Sequence, residues 1–223
     1  SVKDCDFKEN PENIVKNIVK ELDLPVIIKP AHLGSTIGID IAHNEIELKK
    51  YLSAAILIDK EVLVEKFMEN ITEYNISLRQ VDGKIMFSEI EEPVRKSKLL
   101  SFDDKYANGA KKTGGMANLD RKLPAPISQE FASKIKTLAE KTYRVLRCSE
   151  MVRIDFIYAQ NNLYICELNQ IPGSMAFYLW EASGIQFKDQ ITTDIEESIK
   201  RRDNTVSKRF SYSTDIVEKF LSA

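Results

Sequence analysis

Two short apolar runs in the last third of the chain carry polar side chains at a spacing that could bind a metal ion. Arg153 and Asp155 stand two residues apart in "VRID". Glu167 and Asn169 have the same spacing in "CELN". Because alternate residues of a strand point to one face, each pair would share a face. In a hairpin that is symmetric about Asn161, Asp155 lies opposite Glu167. The same register sets Arg153 opposite Asn169.

Two carboxylates that face each other across a hairpin destabilise it unless another charge compensates them. Two carboxylates and an amide oxygen form a hard oxygen set, which suits Mg²⁺ shared with substrate phosphates. The alternative is a solvent-facing hairpin in which Arg153 pairs with a carboxylate, and the residues alone leave both interpretations open. The next residues are "QIPGS". Gly173 there allows a ligand to approach the backbone closely, although Pro-Gly alone is typical of a turn.

A second group of candidate residues lies near the start of the chain. Lys29 ends the apolar run "LPVIIK", where its ammonium group could meet a phosphate at the mouth of a sheet. The loop from Gly34 to Gly38 offers backbone N–H donors and the hydroxyls of Ser35 and Thr36. It is not a Walker loop, since no Gly-Lys-Ser/Thr closes it. Taken alone, this loop favours a hairpin turn over a phosphate cradle.

The elements that must position these residues follow from hydrophobic periodicity and turn signals. The order mixes antiparallel hairpins with helices, which predicts the α+β class. The predicted elements are a helix over 10–22, a strand over 26–29, a helix over 43–56 with Ile46, Tyr51, Leu52 and Ala55 on one face, a strand over 61–67, a hairpin around Asp82-Gly83, a helix after Ser128 with Phe131, Ile135, Leu138, Val145 and Leu146 on its apolar positions, strands over 151–159 and 163–169, and a helix over 187–202.

Composition excludes several classes of function. Lys and Arg total 32 against 34 Asp and Glu, so no polybasic surface indicates nucleic acid or anionic lipid. No apolar stretch approaches the roughly 18 residues of a membrane span. Three cysteines without CxxC spacing argue against a disulfide framework and favour a reducing cytoplasm. The chain contains two histidines, which leaves few candidate residues for catalysis by histidine.

Six motifs in one order resemble the ATP-grasp catalytic portion of the D-alanine–D-alanine ligase family. They are "PVIIKPAHLGSTIGI", "VLVEKF", "EYNISL", "FDDKY", "VRIDF" and "CELNQIPG". The resemblance runs from about Pro25 to about Gly173 and weakly through the C-terminal helix. It implies the ATP-grasp fold, with two mixed or antiparallel sheets and helices that sandwich a nucleotide. It also implies a smaller subdomain over 1–68 and a larger one over 69–223, with a lid loop over about 95–126.

The resemblance assigns residues to ATP. Lys29 would contact the phosphates, with Ser35 and Thr36 in a loop that folds over them. Lys105 and Tyr106 would belong to the lid that closes on phosphate and substrate. The residues implied for the base and the ribose are the hinge Glu65, Lys66, Phe67 and Met68 for adenine, and Glu73 for ribose.

The resemblance also implies the chemistry. A carboxylate attacks the γ-phosphate of ATP, and an amine then attacks the acylphosphate. Two Mg²⁺ ions, which Mn²⁺ could replace, would be held by Asp155, Glu167 and Asn169. Arg153 and the backbone of Gly173 would stabilise the oxyanion. Ser35, Lys105 and Tyr106 complete the implied catalytic set. The partners implied are ATP, small amino acids and a second copy in a homodimer, in peptidoglycan synthesis.

Two departures from the family leave alternatives open. The chain begins close to the lysine strand, so we expect a fragment that cannot ligate alone. After the metal strand the sequence is "PGSMAFYLWEASG", which sets Tyr178 near the position of a serine that helps to bind the carboxylate of the second D-alanine. Phe177 and Trp180 make the stretch bulkier. The alternatives are therefore a ligase with a different acceptor amino acid, or a nucleotide-binding module without catalysis.

Overall fold

The structure is a computed structural model that describes residues 1–34, 36–94, 120–206 and 221. It confirms a mixed α+β architecture. The helices are α1 Asp4–Glu9, α2 Pro11–Leu22, α3 Glu45–Ile56, α4 Gln129–Val145, α5 Phe177–Ala182 and α6 Phe187–Val206. The strands are β1 Val2–Lys3, β2 Val26–Pro30, β3 Asp40–Ala42, β4 Glu61–Lys66, β5 Thr72–Val81, β6 Lys84–Phe87, β7 Glu92–Pro93, β8 Arg121–Lys122, β9 Val152–Ala159 and β10 Asn162–Asn169.

The chain divides into two compact units that interleave along the sequence. The first comprises Ser1–Tyr74, Glu92–Lys122 and Phe156–Cys166, and the second comprises Asn75–Glu91, Leu123–Asp155 and Glu167–Ala223. The first unit begins with the predicted smaller subdomain, residues 1–68, and the boundary at residues 68 and 69 stays a prediction. Residues 95–119 of the predicted lid lie outside the described residues.

The N-terminal sheet has the strand order β1-β4-β2-β3, and its neighbouring strands are antiparallel. Buried Val26 and Ile28 of β2 belong to an apolar core that includes side chains of α2 and α3. Helix α2 begins as its sequence predicts, because Asn10 accepts a hydrogen bond from the backbone N–H of Asn13 at 3.3 Å and Pro11 occupies the first helical position.

The apolar face of α3 differs from the prediction. Ile46 is 82% exposed, whereas Leu48, Leu52 and Ala55 are buried. At about 100° per residue, Leu48, Leu52 and Ala55 lie within one stripe of the helix and Ile46 lies roughly opposite it. The inclusion of Ile46 was therefore wrong, and Leu48, which the prediction omitted, takes its place in the core.

The second sheet has the order β10-β9-β5-β6. The predicted hairpin at Asp82-Gly83 is confirmed, since Val81 pairs with Lys84 and both turn residues have positive φ, 47° and 78°. Helix α4 begins after Ser128, which accepts a hydrogen bond from the N–H of Phe131 at 3.1 Å.

The C-terminal end of α4 was predicted wrongly. Val145 and Leu146 are 69% and 58% exposed, while Ile135, Ala139 and Tyr143 are buried. The helix ends at Val145, so its last apolar residues lie beyond the part that packs. No described helix is both long and apolar enough to cross a membrane.

Candidate functional site

The hairpin of β9 and β10 carries four of the predicted site residues. Strand β9 ends at Ala159 and β10 begins at Asn162. Gln160 and Asn161 form the turn, with φ of 51° and 62°. Two consecutive residues with positive φ are typical of the tightest hairpin turns. The pairing of Asp155 with Glu167 across this hairpin stays a prediction.

The structure brings the predicted metal ligands together. The side-chain amide of Asn169 donates to Glu167 Oε1 at 3.1 Å and to Asp155 Oδ2 at 3.3 Å. This cluster contains two carboxylates and one amide. Among the described residues, no group of three or more His, Cys, Asp or Glu side chains could hold a metal ion. A cation here would therefore need the oxygen of Asn169, with its amide turned over, and oxygens from a substrate. The role of the three residues as metal ligands stays a prediction.

Arg153 points to Asp155 rather than across to Asn169. Its Nε donates to Oδ1 at 2.6 Å and its Nη2 donates to Oδ2 at 2.7 Å. The side chains of Arg153 and Asp155 are only 8% and 17% exposed. Arg153 thus pairs with a carboxylate, as the alternative interpretation of the hairpin expects, but the pair is buried and not solvent-facing. A buried pair is weak as a source of stability, because desolvation offsets the attraction.

The electrostatics of this pair are dominated by burial. Burial raises the pKa of Asp155 to about 6, the hydrogen bonds from Arg153 oppose that rise, and the charge of Glu167 adds to it. Burial would lower the pKa of Arg153, but its hydrogen bonds to Asp155 and the neighbouring charge hold it above its ordinary value. The pKa of Asp155 thus lies close enough to neutral pH for a further charge beside it to change the protonation of this carboxyl group.

Lys29 and Glu65 form an ion pair across strands β2 and β4. Lys29 Nζ lies 2.5 Å from Glu65 Oε2. The strands are antiparallel, with Ile27 opposite Glu65 and Lys29 opposite Leu63, so the pair is diagonal in the sheet. The lysine side chain is 23% exposed and the glutamate side chain is 50% exposed. The two residues that the resemblance assigns to phosphate and adenine are therefore neighbours.

The rest of the predicted hinge follows β4 without a break. Lys66 pairs with Val26 at the end of the strand, and Phe67 N–H donates to the carbonyl of Pro25 at 3.0 Å. Met68 is half-buried. Glu73 lies near the start of β5 and is also half-buried.

The glycine-rich loop is closed on itself by hydrogen bonds. The N–H of Ile37 donates to the carbonyl of Gly34 at 3.1 Å. Thr36 and Gly38 have positive φ, 67° and 69°. A Cβ at Gly38 would lie 2.6 Å from Ile58 Cδ1 and 2.9 Å from Pro30 Cγ, so with its positive φ a larger residue here would be strained. The turn that the loop alone favoured is present, and the phosphate cradle stays a prediction. Ser35, Lys105 and Tyr106 lie outside the described residues.

His32 and Asp59, which the sequence did not identify as partners, hold the start of this loop. Asp59 accepts a hydrogen bond from the His32 backbone N–H at 2.7 Å, and its other oxygen lies 2.9 Å from the His32 ring Nδ1. It also accepts from the N–H of Glu61 at 3.2 Å. These contacts, led by the His32 backbone, lower the pKa of Asp59 to about 2. No local spacing could have revealed a pair that is 27 residues apart.

The segment after β10 contains a short 3₁₀ turn, Gly173–Ala176, which the sequence did not predict beyond its first Pro-Gly. Farther on, Tyr178 is buried, and its hydroxyl donates to Glu91 Oε1 at 2.8 Å. Glu91 is buried as well and accepts a second bond from Asn75 Nδ2 at 2.9 Å. Glu91 and Asn75 are polar core residues that sequence reasoning missed, because they are 16 residues apart and in different segments.

A cavity of about 530 Å³ lies in the second unit, and none of the predicted site residues lines it. Its lining is mostly apolar, from the chain before β9, the segment after β10 and one face of α6. The residues are Glu150, Met151, Gln170, Ile171, Pro172, Met175, Ile191, Asp194, Ile195, Ser198, Ile199 and Arg202.

The likeness to known proteins decides the family. The family model described as "D-ala D-ala ligase C-terminus" matches residues 1–196. This chain belongs to that family. A D-alanine–D-alanine ligase from Thermosipho africanus (strain TCF52B) is 33% identical over 213 residues, which cover 95% of this chain and 56% of the relative. The chain spans about half the length of the curated relatives it matches.

Solved structures of the same kind of protein share the fold. The D-alanine–D-alanine ligase of Helicobacter pylori matches with a TM-score of 0.58 and 28% identity, over 83% of this chain and 49% of that one. The VanG D-Ala:D-Ser ligase of Enterococcus faecalis matches with a TM-score of 0.70 over 85% of this chain and 54% of that one. At 24% identity the second likeness shows the fold alone. The predicted family and its ATP-grasp fold are confirmed.

Proposed function

We propose that this chain is the ATP-grasp part of an ATP-dependent carboxylate–amine ligase of the D-alanine–D-alanine ligase type. The observation that supports this most directly is the cluster of Asp155, Glu167 and Asn169 with Arg153 beside it. In the proposed reaction a carboxylate takes the γ-phosphoryl group of ATP and ADP leaves. An amine then forms the C–N bond to the acyl group, and phosphate leaves.

The second unit would carry the chemistry of both steps. Asp155, Glu167 and Asn169 would hold a divalent cation, Mg²⁺ or Mn²⁺, which neutralises phosphate oxygens when it is bound; a second ion is part of the proposal. The guanidinium of Arg153 and the N–H of Gly173 would stabilise the oxyanion. Positive charge beside Asp155 weakens the hold of that carboxylate on Arg153, and this would leave the guanidinium N–H groups free to face a substrate oxygen.

The first unit would bind the nucleotide. Lys29 would exchange its partner Glu65 for a phosphate, because a phosphate carries more charge than a carboxylate. Glu65 would then be free to accept a hydrogen bond from the adenine, beside Lys66, Phe67 and Met68. Glu73 on the ribose, and Ser35, Thr36, Lys105 and Tyr106 on phosphate and substrate, belong to the proposal through the resemblance.

Calorimetric titration of the 223-residue chain with ATP and Mg²⁺ tests the metal and nucleotide parts. We expect Asp155→Asn and Glu167→Gln each to weaken Mg²⁺-dependent ATP binding about tenfold, since each removes a charged ligand. Glu130→Gln removes the same charge from an exposed position on α4 and is the matched control. Unchanged affinity in both cluster variants would refute the site.

A different acceptor amino acid is the second candidate, and Tyr178 is the observation that favours it. A buried hydroxyl that already donates to Glu91 is not free to bind the carboxylate of an incoming amino acid. The E. faecalis neighbour is named as a D-Ala:D-Ser ligase, so acceptors other than D-alanine occur on this fold. Phosphate release from ATP, measured with pairs of D- and L-amino acids, identifies the acceptor.

The state and location of the protein are part of the same proposal. We propose a homodimer in the cytoplasm, with a role in peptidoglycan synthesis. The three cysteines are free thiols, which supports a reducing compartment. Light scattering gives the mass in solution and thus tests the dimer.

The expectation that this chain alone does not ligate is tested by dipeptide formation, which should be absent. Nucleotide binding without phosphate release, in any longer form that includes the parts present in relatives, would favour a non-catalytic module.

A further inference from the structure

Gln190 joins the two chain segments that flank the β9–β10 hairpin. It lies in α6 and is fully buried. Its side-chain Nε2 donates to the carbonyl of Met175 at 2.8 Å and lies 2.9 Å from the sulfur of Met151. Met151 directly precedes β9, and Met175 follows β10 by six residues. One amide group therefore connects the entry of the hairpin to its exit.

The segment that Gln190 contacts has an unfavourable backbone. Ser174, Met175 and Ala176 have φ of 53°, 52° and 47°. Residues with a Cβ rarely adopt this left-handed conformation, and it persists only where the surroundings hold it in place. The N–H of Met175 donates to the carbonyl of Pro172 at 2.9 Å, and its carbonyl accepts from Gln190. Gln190 thus binds the middle residue of the strained segment.

One side of this segment borders a cavity. Met151, Pro172 and Met175 all line the cavity of about 530 Å³. Side chains that border a cavity lose dispersion contacts there. Ala176 packs with Tyr178 and Leu179 on the other side, so the hydrogen bond from Gln190 adds support on the side that borders the cavity.

Gln190 itself is fixed by its helix and by a buried arginine. Its N–H donates to the carbonyl of Gln186 at 2.9 Å, and its carbonyl accepts from Arg79 Nη1 at 3.2 Å. Arg79 also pairs with Asp194 at 3.3 Å and lies over the ring of Trp180, 4.7 Å from its centroid. Within the described residues Gln190 Oε1 has no partner. The donor end of the amide is therefore the end that is used.

We propose that Gln190 is a positioning residue that fixes the segment after Gly173 against the start of β9, and so aims the Gly173 N–H at the substrate oxyanion of the proposed function. The meaning for catalysis rests on the proposed function. The mechanical part, that one amide holds the strained segment in place, does not rest on it.

Hydrogen exchange on the 223-residue chain tests the mechanical part. Gln190→Met keeps the length and volume of the side chain and removes the donor. We expect amides over 173–177 to exchange about tenfold faster in this variant, because a buried hydrogen bond that holds them is lost. Exchange within about twofold of the original chain over 173–177 would overturn the proposal.

Tyr143→Phe is the matched control. It also removes one buried donor to a backbone carbonyl of the same unit, since Tyr143 Oη donates to the carbonyl of Glu150 at 2.9 Å. Both variants should lower the melting temperature, but Tyr143→Phe should not change exchange over 173–177. If the control accelerates exchange over 173–177 as much as Gln190→Met does, the effect is general destabilisation and the proposal is wrong.

Kinetics test the catalytic meaning separately. In a form of the protein that releases phosphate with an amino-acid pair, Gln190→Met should lower kcat about tenfold and leave KM for ATP within about twofold, since Gln190 is not among the residues assigned to nucleotide. An unchanged kcat with faster exchange would overturn the catalytic meaning alone. Absence of phosphate release from every form and pair would refute the proposed function, and the exchange result would still decide the mechanical part.

Discussion

Replacing Arg153 with methionine tests the buried ion pair of the candidate site. Arg153 donates two short hydrogen bonds to Asp155, and both side chains are mostly buried. Removal of one partner of a buried pair costs about 3–5 kcal/mol, because the other charge is left unpaired. Asp155 can limit that loss by binding a proton, at about 1.4 kcal/mol for each pH unit above its pKa of about 6. We therefore expect the free energy of unfolding to fall by about 2–3 kcal/mol at pH 7.

The same pKa fixes the direction of the pH dependence. Burial raises the folded-state pKa of Asp155 from 3.8 to about 6, against the hydrogen bonds of Arg153. Between these values the folded state binds more protons than the unfolded state, so stability falls as the pH rises through this range. Without Arg153 the pKa rises further and the fall continues above pH 6. The difference between the variant and the original chain should therefore shrink by about 1.4 kcal/mol between pH 7 and pH 5.

Urea unfolding at both pH values, with a chelator present, measures this difference. Arg144→Met is the control, because Arg144 pairs with Glu140 on the exposed side of α4 and should lose less than about 1 kcal/mol. Asp155→Asn added to Arg153→Met should recover part of the loss, since it removes the unpaired charge. A loss at pH 7 no larger than that of the control, or a loss that grows toward pH 5, would refute the reasoning.

Two further predictions concern the glycine-rich loop and the aspartate that holds its start. Gly38→Ala should lower the free energy of unfolding by about 1–3 kcal/mol, because the residue has a φ of 69° and an added Cβ would meet neighbouring side chains. Gly34→Ala, with no heavy atom within 4 Å of the new Cβ, should change it by less than about 1 kcal/mol. Equal losses in thermal unfolding would contradict this. Asp59→Asn should make the free energy of unfolding depend less on pH in the acid range. The lowered pKa of Asp59 gives stability that is present above pH 4 and is lost as the pH falls toward about 2. An acid-unfolding curve that superimposes on that of the original chain would contradict this.

Local patterns predicted the elements of the fold better than the faces they bury. Caps and turns depend on neighbouring residues, so Asn10, Ser128 and Asp82-Gly83 were found from sequence. Burial of one residue depends on where the partner element ends. Ile46 and Val145 both have apolar side chains in correctly predicted helices, and both face away from the core. Helix α5 and the 3₁₀ turn before it gave no periodic signal in the sequence.

The candidate site shows the same limit at the level of side chains. A period of two groups Glu167 with Asn169 on β10, and the amide of Asn169 contacts both Glu167 and Asp155. The rotamer of Arg153 is not set by that period. It turns along its own strand to Asp155, two residues away, because a bidentate contact satisfies both groups when they are buried. Gln190 was out of reach for sequence reasoning, since its partners are 15 and 39 residues distant.

Two of the predicted cationic residues are already paired with a predicted acidic residue of their own unit, Lys29 with Glu65 and Arg153 with Asp155. A ligand shifts such pairs only as far as its affinity differs between the paired and the open arrangement. Under the proposed function, a phosphate would compete for Lys29 and a cation would compete for Asp155. Under the proposed function, ATP would supply the phosphate and its divalent cation would supply the positive charge, whereas free ATP would supply only the phosphate. Binding of nucleotide should therefore depend steeply on the divalent cation, and Asp155→Asn should flatten that dependence more than it changes the binding of free ATP.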